Sequence, residues 1–407
     1  MFKLCEKISE ITKNPVAFNS ISKGTLRYSV KIGEVSPFMR KLSKPDLEFF
    51  KRRATFSMNN MRKDKDERSV IIPLENPIEI NGKTVMALRL KGIFPQANEK
   101  GEVLSYKDGS GYVPTLLKVA GENKIRSTTT RDVQDYFPWG TMGSEAIEKE
   151  VGAALLLGPE MTDLLLGFGI YEDLTFCGKP VGFAIYGMER EKDIRVLEYL
   201  KGYIETCGKL PDAGNQAIQT GQLLRQMNDL GLSHGYPHLW NYAKVSQDKA
   251  KILDLDTAVN WENIPKEERV ANIFLSLSHT INDYMKCFIY KSEYDGEVEK
   301  EYVHLTRLLP FFLLGYFGND SSSLFVKAVE RFTEKDRSDK ELRDAFGVLP
   351  TYCSQFVWET RGRAQTLIEP VIQLYKTIGS TVDLENFKNN PLSGLFYQAI
   401  EKTAQEI

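Results

Sequence analysis

Residues 223 to 258, LLRQMNDLGLSHGYPHLWNYAKVSQDKAKILDLDTA, carry side chains that could do chemistry at close spacing. The loop HGYPHLWN holds His234, His238 and Asn241, and KILDLDTA follows with Asp254 and Asp256. An amide and a carboxylate facing each other across a short loop and strand can hold Mg²⁺, which takes oxygen ligands and is commonly shared with nucleotide phosphates. Asn241 and Asp254 are therefore the candidate metal ligands, with Asp256 second in rank as ligand or base. The elements that must position them read directly. Ile218, Leu223, Leu224, Met227 and Leu230 recur at helical spacing, and Gly231 ends that helix. KILDLDTA alternates apolar and acidic residues, which predicts a half-buried strand with Asp254 and Asp256 on one face.

HGYPHLWN followed by ILDLDTA resembles the HGDxHxxN and IDFxxA motifs of aminoglycoside phosphotransferases and other kinase-like small-molecule kinases. It is also similar to the HGVMNTDN and IDYGP segments of the selenoprotein O family, whose members transfer AMP to proteins. Three further segments agree in chain order. PIEINGKTVMALRLKG is a hairpin with an Asn81-Gly82 turn, and its second strand ends in Lys91; LRLKG is similar to the LQLKG in which selenoprotein O proteins keep their nucleotide lysine. GSEAIEKEVGAALLL is a helix with Gly143, Ile147, Glu150, Ala154 and Leu157 on one face, so Glu150 lies within the apolar stripe and needs a cationic partner. Lys91 is that candidate, giving the strand-lysine to helix-glutamate pair that kinase-like folds use on phosphates. GKPVGFAIYGMERE runs from a strand into a polar connector, suiting a hinge around Gly187 to Arg190, where the resemblance implies that Gly187 and Met188 meet the nucleotide. The resemblance covers roughly residues 75 to 290.

The chain departs from the pattern in two places. Tyr236 stands where such phosphotransferases have the Asp of HGD, and a phenol with a pKa of about 10 is a poor base at neutral pH. Three explanations stand side by side: adenylyl rather than phosphoryl transfer; a base supplied by His238 or Asp256, or no base at all; or a pseudokinase that binds nucleotide without turnover. The second departure is the absence of GxGxxG ahead of Lys91. SKGT at Ser22 to Thr25 reads as a degenerate phosphate loop or a plain turn, and KDGSGY at residues 107 to 112 as a lid or a hairpin turn. Lys91 and Glu150 are also separated by a long insertion of the kind that carries substrate-specific elements.

Plainer readings sit beside these. Asp254 and Asp256 could be the solvent face of an edge strand, and Lys91 with Glu150 an ordinary semi-buried ion pair, with Glu145 or Glu148 in place of Glu150. His234 is assigned structural support, His238 is divided between bracing and substrate contact, and Trp240 is assigned packing.

At 407 residues the chain exceeds one typical domain, so two lobes are expected. A net charge of −2 argues against nucleic acid as principal partner. The basic run KRRATFSMNNMRKDKDER at residues 51 to 68 is punctuated by acids and reads as a solvated segment. The five cysteines (Cys5, Cys177, Cys207, Cys287, Cys353) form no CxxC or Cys/His cluster, which favours a reducing compartment and no zinc or disulfide framework. No signal-peptide core opens the chain, and the apolar run LTRLLPFFLLGYFG at 305 to 318 is too short to span a bilayer, so the expectation is a cytoplasmic protein with no membrane partner.

Segments 268 to 290, 322 to 335 and 363 to 379 carry helical periodicity and would complete a helical C-lobe. The expected fold is α+β and two-lobed, protein-kinase-like, with an N-terminal extension over 1–70, a small β-rich N-lobe over 71–189 and a helical C-lobe over 190–407. ATP and Mg²⁺ are the expected cofactors: Lys91 holds phosphates, Glu150 orients Lys91, and Asn241 and Asp254 ligate metal. The acceptor is a protein or small-molecule hydroxyl; the alternative is a silent nucleotide-sensing scaffold.

Overall fold

In the computed structural model the described residues are 21–24, 27–30, 41–47, 55–57, 69–92, 103–107, 115–120, 124–127, 136–138, 142–176, 179–192, 194–205, 212–262, 264–292, 308–318 and 391–407. The fold is α+β, in two compact units, Met1–Lys192 and Asp193–Ile407. Antiparallel strands dominate the first and helices the second.

In the first unit, β1 (Ile21–Gly24), β2 (Arg27–Val30) and β3 (Thr55–Ser57) form a small sheet in chain order. Ser22 to Gly24 of the SKGT segment therefore lie in β1, paired with β2. β4 (Ser69–Ile80) and β5 (Lys83–Lys91) form the expected hairpin. Asn81 and Gly82 both have positive φ, 51° and 74°, the conformation that a two-residue turn needs to match the twist of its strands. A bulge between Pro73 and Ile78 frees the Glu75 and Asn76 N–H groups, which donate to the Asp46 carboxylate at 2.9 and 3.5 Å. The insertion after Lys91 contributes β6 (Val103–Lys107), β7 (Thr115–Ala120), β8 (Lys124–Ser127) and β9 (Tyr136–Pro138), a sheet of order β8-β7-β6-β9.

The chain then returns to the first hairpin. β10 (Met142–Gly143) pairs with β12 (Lys179–Met188) on the edge that β5 vacates past Lys91, matching Met142 to Gly182 while β5 matches Lys91 to Ala184. Helix α1 (Ser144–Met161) thus starts beside the end of β5. It buries Ile147, Glu150, Val151, Ala154 and Leu157 and kinks at Gly158, whose φ is 70°. β11 (Leu164–Phe176) covers the other edge of β12.

The second unit opens with β13 (Ile194–Arg195), α2 (Val196–Glu205) and α3 (Ala213–Asp229). Gly231 follows α3 with φ of 72°, in keeping with its expected role as the stop. β14 (Leu232–Ser233), β15 (Tyr242–Lys244), β16 (Ala250–Ile252) and β17 (Val259–Asn260) make two small sheets, β13-β15-β16 and β14-β17. α4 (Lys266–Ser292), α5 (Leu309–Phe317) and α6 (Pro391–Glu406) follow. The apolar run at 305 to 318 supplies α5, whose Leu309, Phe312, Leu313 and Tyr316 are buried. Among the described residues no helix is long and apolar enough to cross a membrane. The helices expected at 322 to 335 and 363 to 379, the glycines of KDGSGY and most of the basic run 51 to 68 lie outside the described residues.

The strand expected over KILDLDTA is corrected. β16 stops at Ile252, Asp254 takes a left-handed conformation (φ 55°, ψ 59°), and Leu255–Thr257 form a 3-10 turn. Asp254 and Asp256 therefore do not share a strand face. Leu253 and Leu255 are both buried, so a turn satisfies the apolar alternation as well as a strand does.

α3 and α5 approach through glycines: a Cβ on Gly221 would collide with the Phe312 carbonyl oxygen, and one on Gly315 with that of Ile218. Backbone cannot give way as a flexible side chain can. Gly221→Ala should cost about 1–3 kcal/mol of stability, read as a lower urea midpoint of the second unit; an unchanged midpoint would mean that the helices separate at no cost.

Candidate functional site

In the first unit, Lys91 Nζ lies 2.8 Å from Glu150 Oε1, with side-chain exposures of 5% and 3%. The pair expected from the sequence forms, and Glu145 and Glu148 are not its carboxylate. Glu150 faces the sheet because it falls on the buried stripe of α1, and α1 starts beside Lys91 because β10 continues the sheet there. Gly92 has φ of 79°, and a Cβ on it would collide with the Gly182 carbonyl, so the chain can leave β5 at this point only through glycine.

Two participants escaped the sequence reading. Tyr186 OH donates to Glu150 Oε1 at 3.0 Å. Burial first, and then the Glu150 charge, push this phenol well above the ordinary tyrosine value, so it stays a donor. Nearby, Asp163 accepts from Arg190 at 2.7 and 3.3 Å in bidentate geometry and lies 3.2 Å from Arg89 Nη1. A tyrosine in an apolar strand looks like core, although Tyr186 and Ala184 on β12 are paired to Arg89 and Lys91, an alternation of charge on β5 that was visible in the sequence. Gly187 and Met188 are buried in β12, opposite Leu88 and Ala87; a Cβ on Gly187 would press on Val85 Cγ2 at 2.8 Å.

In the second unit, backbone bonds build the loop. His234 is buried, and its Nε2 donates to the Leu253 carbonyl at 2.7 Å, while Thr257 Oγ1 donates to the His234 carbonyl at 2.7 Å. The bracing role expected of His234 matches these contacts. Gly235 has φ of 77° where a Cβ would strike the Thr257 carbonyl. Asn241 Nδ2 donates to the Tyr236 carbonyl at 2.9 Å, which leaves Oδ1 as the ligand end of its amide. Tyr242 pairs with Ile252 and Leu253 N–H donates to the Asn241 carbonyl at 2.8 Å, so Asn241 and Asp254 emerge at the same end of the β15–β16 hairpin. Arg195 Nη1 lies 3.8 Å from Asp254 Oδ2 and donates to the Trp240 carbonyl at 3.0 Å. Asp256 is half-buried on the following turn.

Tyr236 packs edge-on against His238 and His279, both at 4.6 Å between ring centres. His238 Nδ1 is 4.0 Å from Asp283 Oδ2, which accepts the Leu239 N–H at 2.6 Å. Arg195, His279 and Asp283 were not singled out from sequence. The spacing of His279 and Asp283, one helical turn apart, was the available signal.

Among the described residues no group of three or more His, Cys, Asp or Glu side chains could hold a metal ion. One amide oxygen and one carboxylate still suit Mg²⁺, which keeps several waters and takes further oxygens from phosphates. The donor chemistry of Asn241 and Asp254 therefore fits that ion, and Arg195 lies 3.8 Å from the Asp254 carboxylate.

No family model and no curated protein matches the sequence. Among solved structures the chain is similar to WaaP in complex with acyl carrier protein, at 11% identity over 78% of this chain and 94% of that one, with a TM-score of 0.30. It is also similar to a divergent kinase lacking the glycine-rich loop, described as regulating membrane ultrastructure of the Toxoplasma parasitophorous vacuole, at 17% identity over 48% of this chain and 63% of that one, with a TM-score of 0.22. Likeness this distant assigns the chain to no family and gives no residue a role.

Burial lowers the pKa of His234, and its Nδ1 has no hydrogen-bond partner among the described residues. The folded protein then binds this proton less readily than the unfolded chain does. Stability from neutral His234 is complete above about pH 6.5 and is lost as pH falls through the lower folded value. Melting the protein between about pH 8 and 5 should show a falling midpoint that flattens in His234→Gln; parallel profiles would remove this residue from the pH dependence.

Proposed function

We propose that the chain is an ATP- and Mg²⁺-dependent transferase of kinase-like fold that moves a phosphoryl or adenylyl group to a protein or small-molecule hydroxyl. The buried Lys91–Glu150 pair carries this reading. Apolar residues of similar size often replace a buried ion pair without loss of stability, so such a pair is better explained by an ammonium held ready for a ligand. Lys91 binds phosphate oxygens, Glu150 fixes the direction of its ammonium, and Gly187 and Met188 line the strand end that receives the base. Asn241 Oδ1 and Asp254 hold Mg²⁺, which when bound neutralises phosphate charge and fixes phosphate geometry.

Phosphoryl transfer depends chiefly on positioning and electrostatics, so the lack of an aspartate at Tyr236 is compatible with turnover. His238 and Asp256, both half-buried, are the groups left to take the acceptor proton. A second reading, a pseudokinase scaffold, is favoured by one observation: Tyr236 is packed between two histidine rings rather than left clear for a proton acceptor. Adenylyl transfer, as in the selenoprotein O family, is the third outcome.

Incubation with Mg²⁺ and α- or γ-labelled ATP separates them. Transfer from γ only makes the protein a kinase, and transfer from α only an adenylyltransferase; ATP binding without transfer makes it a scaffold. Asp254→Asn is the informative variant, because Asn tolerates the left-handed conformation that Ala would strain. It should cut transfer by about two orders of magnitude with an unchanged melting curve; undiminished transfer would sink the metal assignment.

A further inference from the structure

We infer that Tyr186 is a positioning residue for the nucleotide lysine, acting through Glu150. The inference rests on the nucleotide reading above and assigns it a residue outside the lysine, glutamate and metal set.

Lys91 Nζ and Tyr186 OH converge on one oxygen, Glu150 Oε1, at 2.8 and 3.0 Å. Two donors on a single carboxylate oxygen fix its position along two directions, so the carboxylate cannot swing about its own side-chain torsions while both are made. Tyr186 is suited to this by its place in the sheet. It lies on β12, whose neighbour Ala184 is paired to Lys91, so both donors come from adjacent strands and Glu150 from the helix above them. The strands are rigid relative to each other through their ladder, and the tyrosine ring carries few rotatable bonds. The hydroxyl is therefore a fixed point against which the lysine–glutamate pair is set.

The pose of α1 does not itself depend on this hydroxyl. Asp163, just past the end of α1, is tied to β5 by Arg89 and to the residue after β12's connector begins, Arg190, through 3.2 and 2.7 Å contacts. Apolar burial of Ile147, Val151, Ala154 and Leu157 holds the helix body. Removing the hydroxyl alone should leave the helix seated and let the Glu150 carboxylate rotate, loosening the direction of the Lys91 ammonium. A phenol inserted merely to fill space would serve equally as phenylalanine.

The test is a double-mutant cycle on the full chain, reading ATP affinity by titration calorimetry and apo stability by thermal melting. Tyr186→Phe should weaken ATP binding about three- to tenfold, the scale of one ordinary hydrogen bond, because its effect reaches the nucleotide only through Glu150 and Lys91. Its apo melting point should fall by several degrees, the cost of one hydrogen bond to a buried carboxylate, with a cooperative transition retained. In a Glu150→Gln background the same substitution should change affinity by less than about twofold, because the path to Lys91 is already altered. Equal weakening in both backgrounds would overturn the inference and make Tyr186 a packing residue, as would unaltered affinity in Tyr186→Phe when the parent binds ATP. A parent that binds no ATP removes the nucleotide reading itself, and this inference with it; the two failures are therefore distinct.

Discussion

Two charges taken out of water constrain the first unit. Each buried ion costs several kcal/mol of desolvation, recovered only if the pair meets at hydrogen-bond distance with its other valences met. Lys91 and Glu150 meet at 2.8 Å, with the Tyr186 hydroxyl as a second donor to the same carboxylate oxygen, and the elements around them follow from it. α1 must start where β5 ends, which β10 achieves by extending the edge of β12. The helix must also keep its rotation: one residue of slip turns a side chain by about 100° and would carry Glu150 off the sheet-facing stripe. The chain must leave β5 sharply, and only the glycine at 92 permits that turn against the Gly182 carbonyl.

The second unit solves a different problem. Its loop from His234 to Asn241 has little regular structure, so its backbone groups need side-chain partners. His234, Asn241, Thr257, Thr280 and Asp283 each supply one, to the carbonyls of Leu253, Tyr236, His234 and Pro237 and to the Leu239 N–H. Several residues that look catalytic in the sequence thus have structural work. Burial keeps His234 neutral, which is what a brace requires and a proton carrier does not.

What was legible in the sequence follows from periodicity and from polar residues standing where apolar ones belong. Glu150 inside a helical apolar stripe demanded a partner, and Asn81-Gly82 between alternating strands demanded a turn; both are local signals. Tyr186 was not legible, because an aromatic residue in a buried strand has the same pattern whether or not its hydroxyl is used. Asp163 and Arg190 are 27 residues apart, and no local pattern joins them. The stretch after Ile252 misled for a sharper reason: alternating burial of Leu253 and Leu255 is common to a strand and to a left-handed residue followed by a 3-10 turn.

That conformation decides where the two carboxylates go. Among the described residues only Asn81 and Asp254 have positive φ without being glycine. Asn81 is accounted for by its two-residue hairpin turn. Asp254 is in no hairpin, and a non-glycine residue held there carries a cost of order 1 kcal/mol that the surroundings must sustain. The ladder from Tyr242 to Ile252, the Leu253 bond to Asn241 and the Thr257 bond to the His234 carbonyl fix the chain on both sides of it. The effect is to turn the chain away from the line of β16 after Leu253, so that the Asp254 carboxylate lies near Arg195 instead of standing in a row with Asp256. Two carboxylates on one strand face would repel each other; the left-handed residue gives them separate environments.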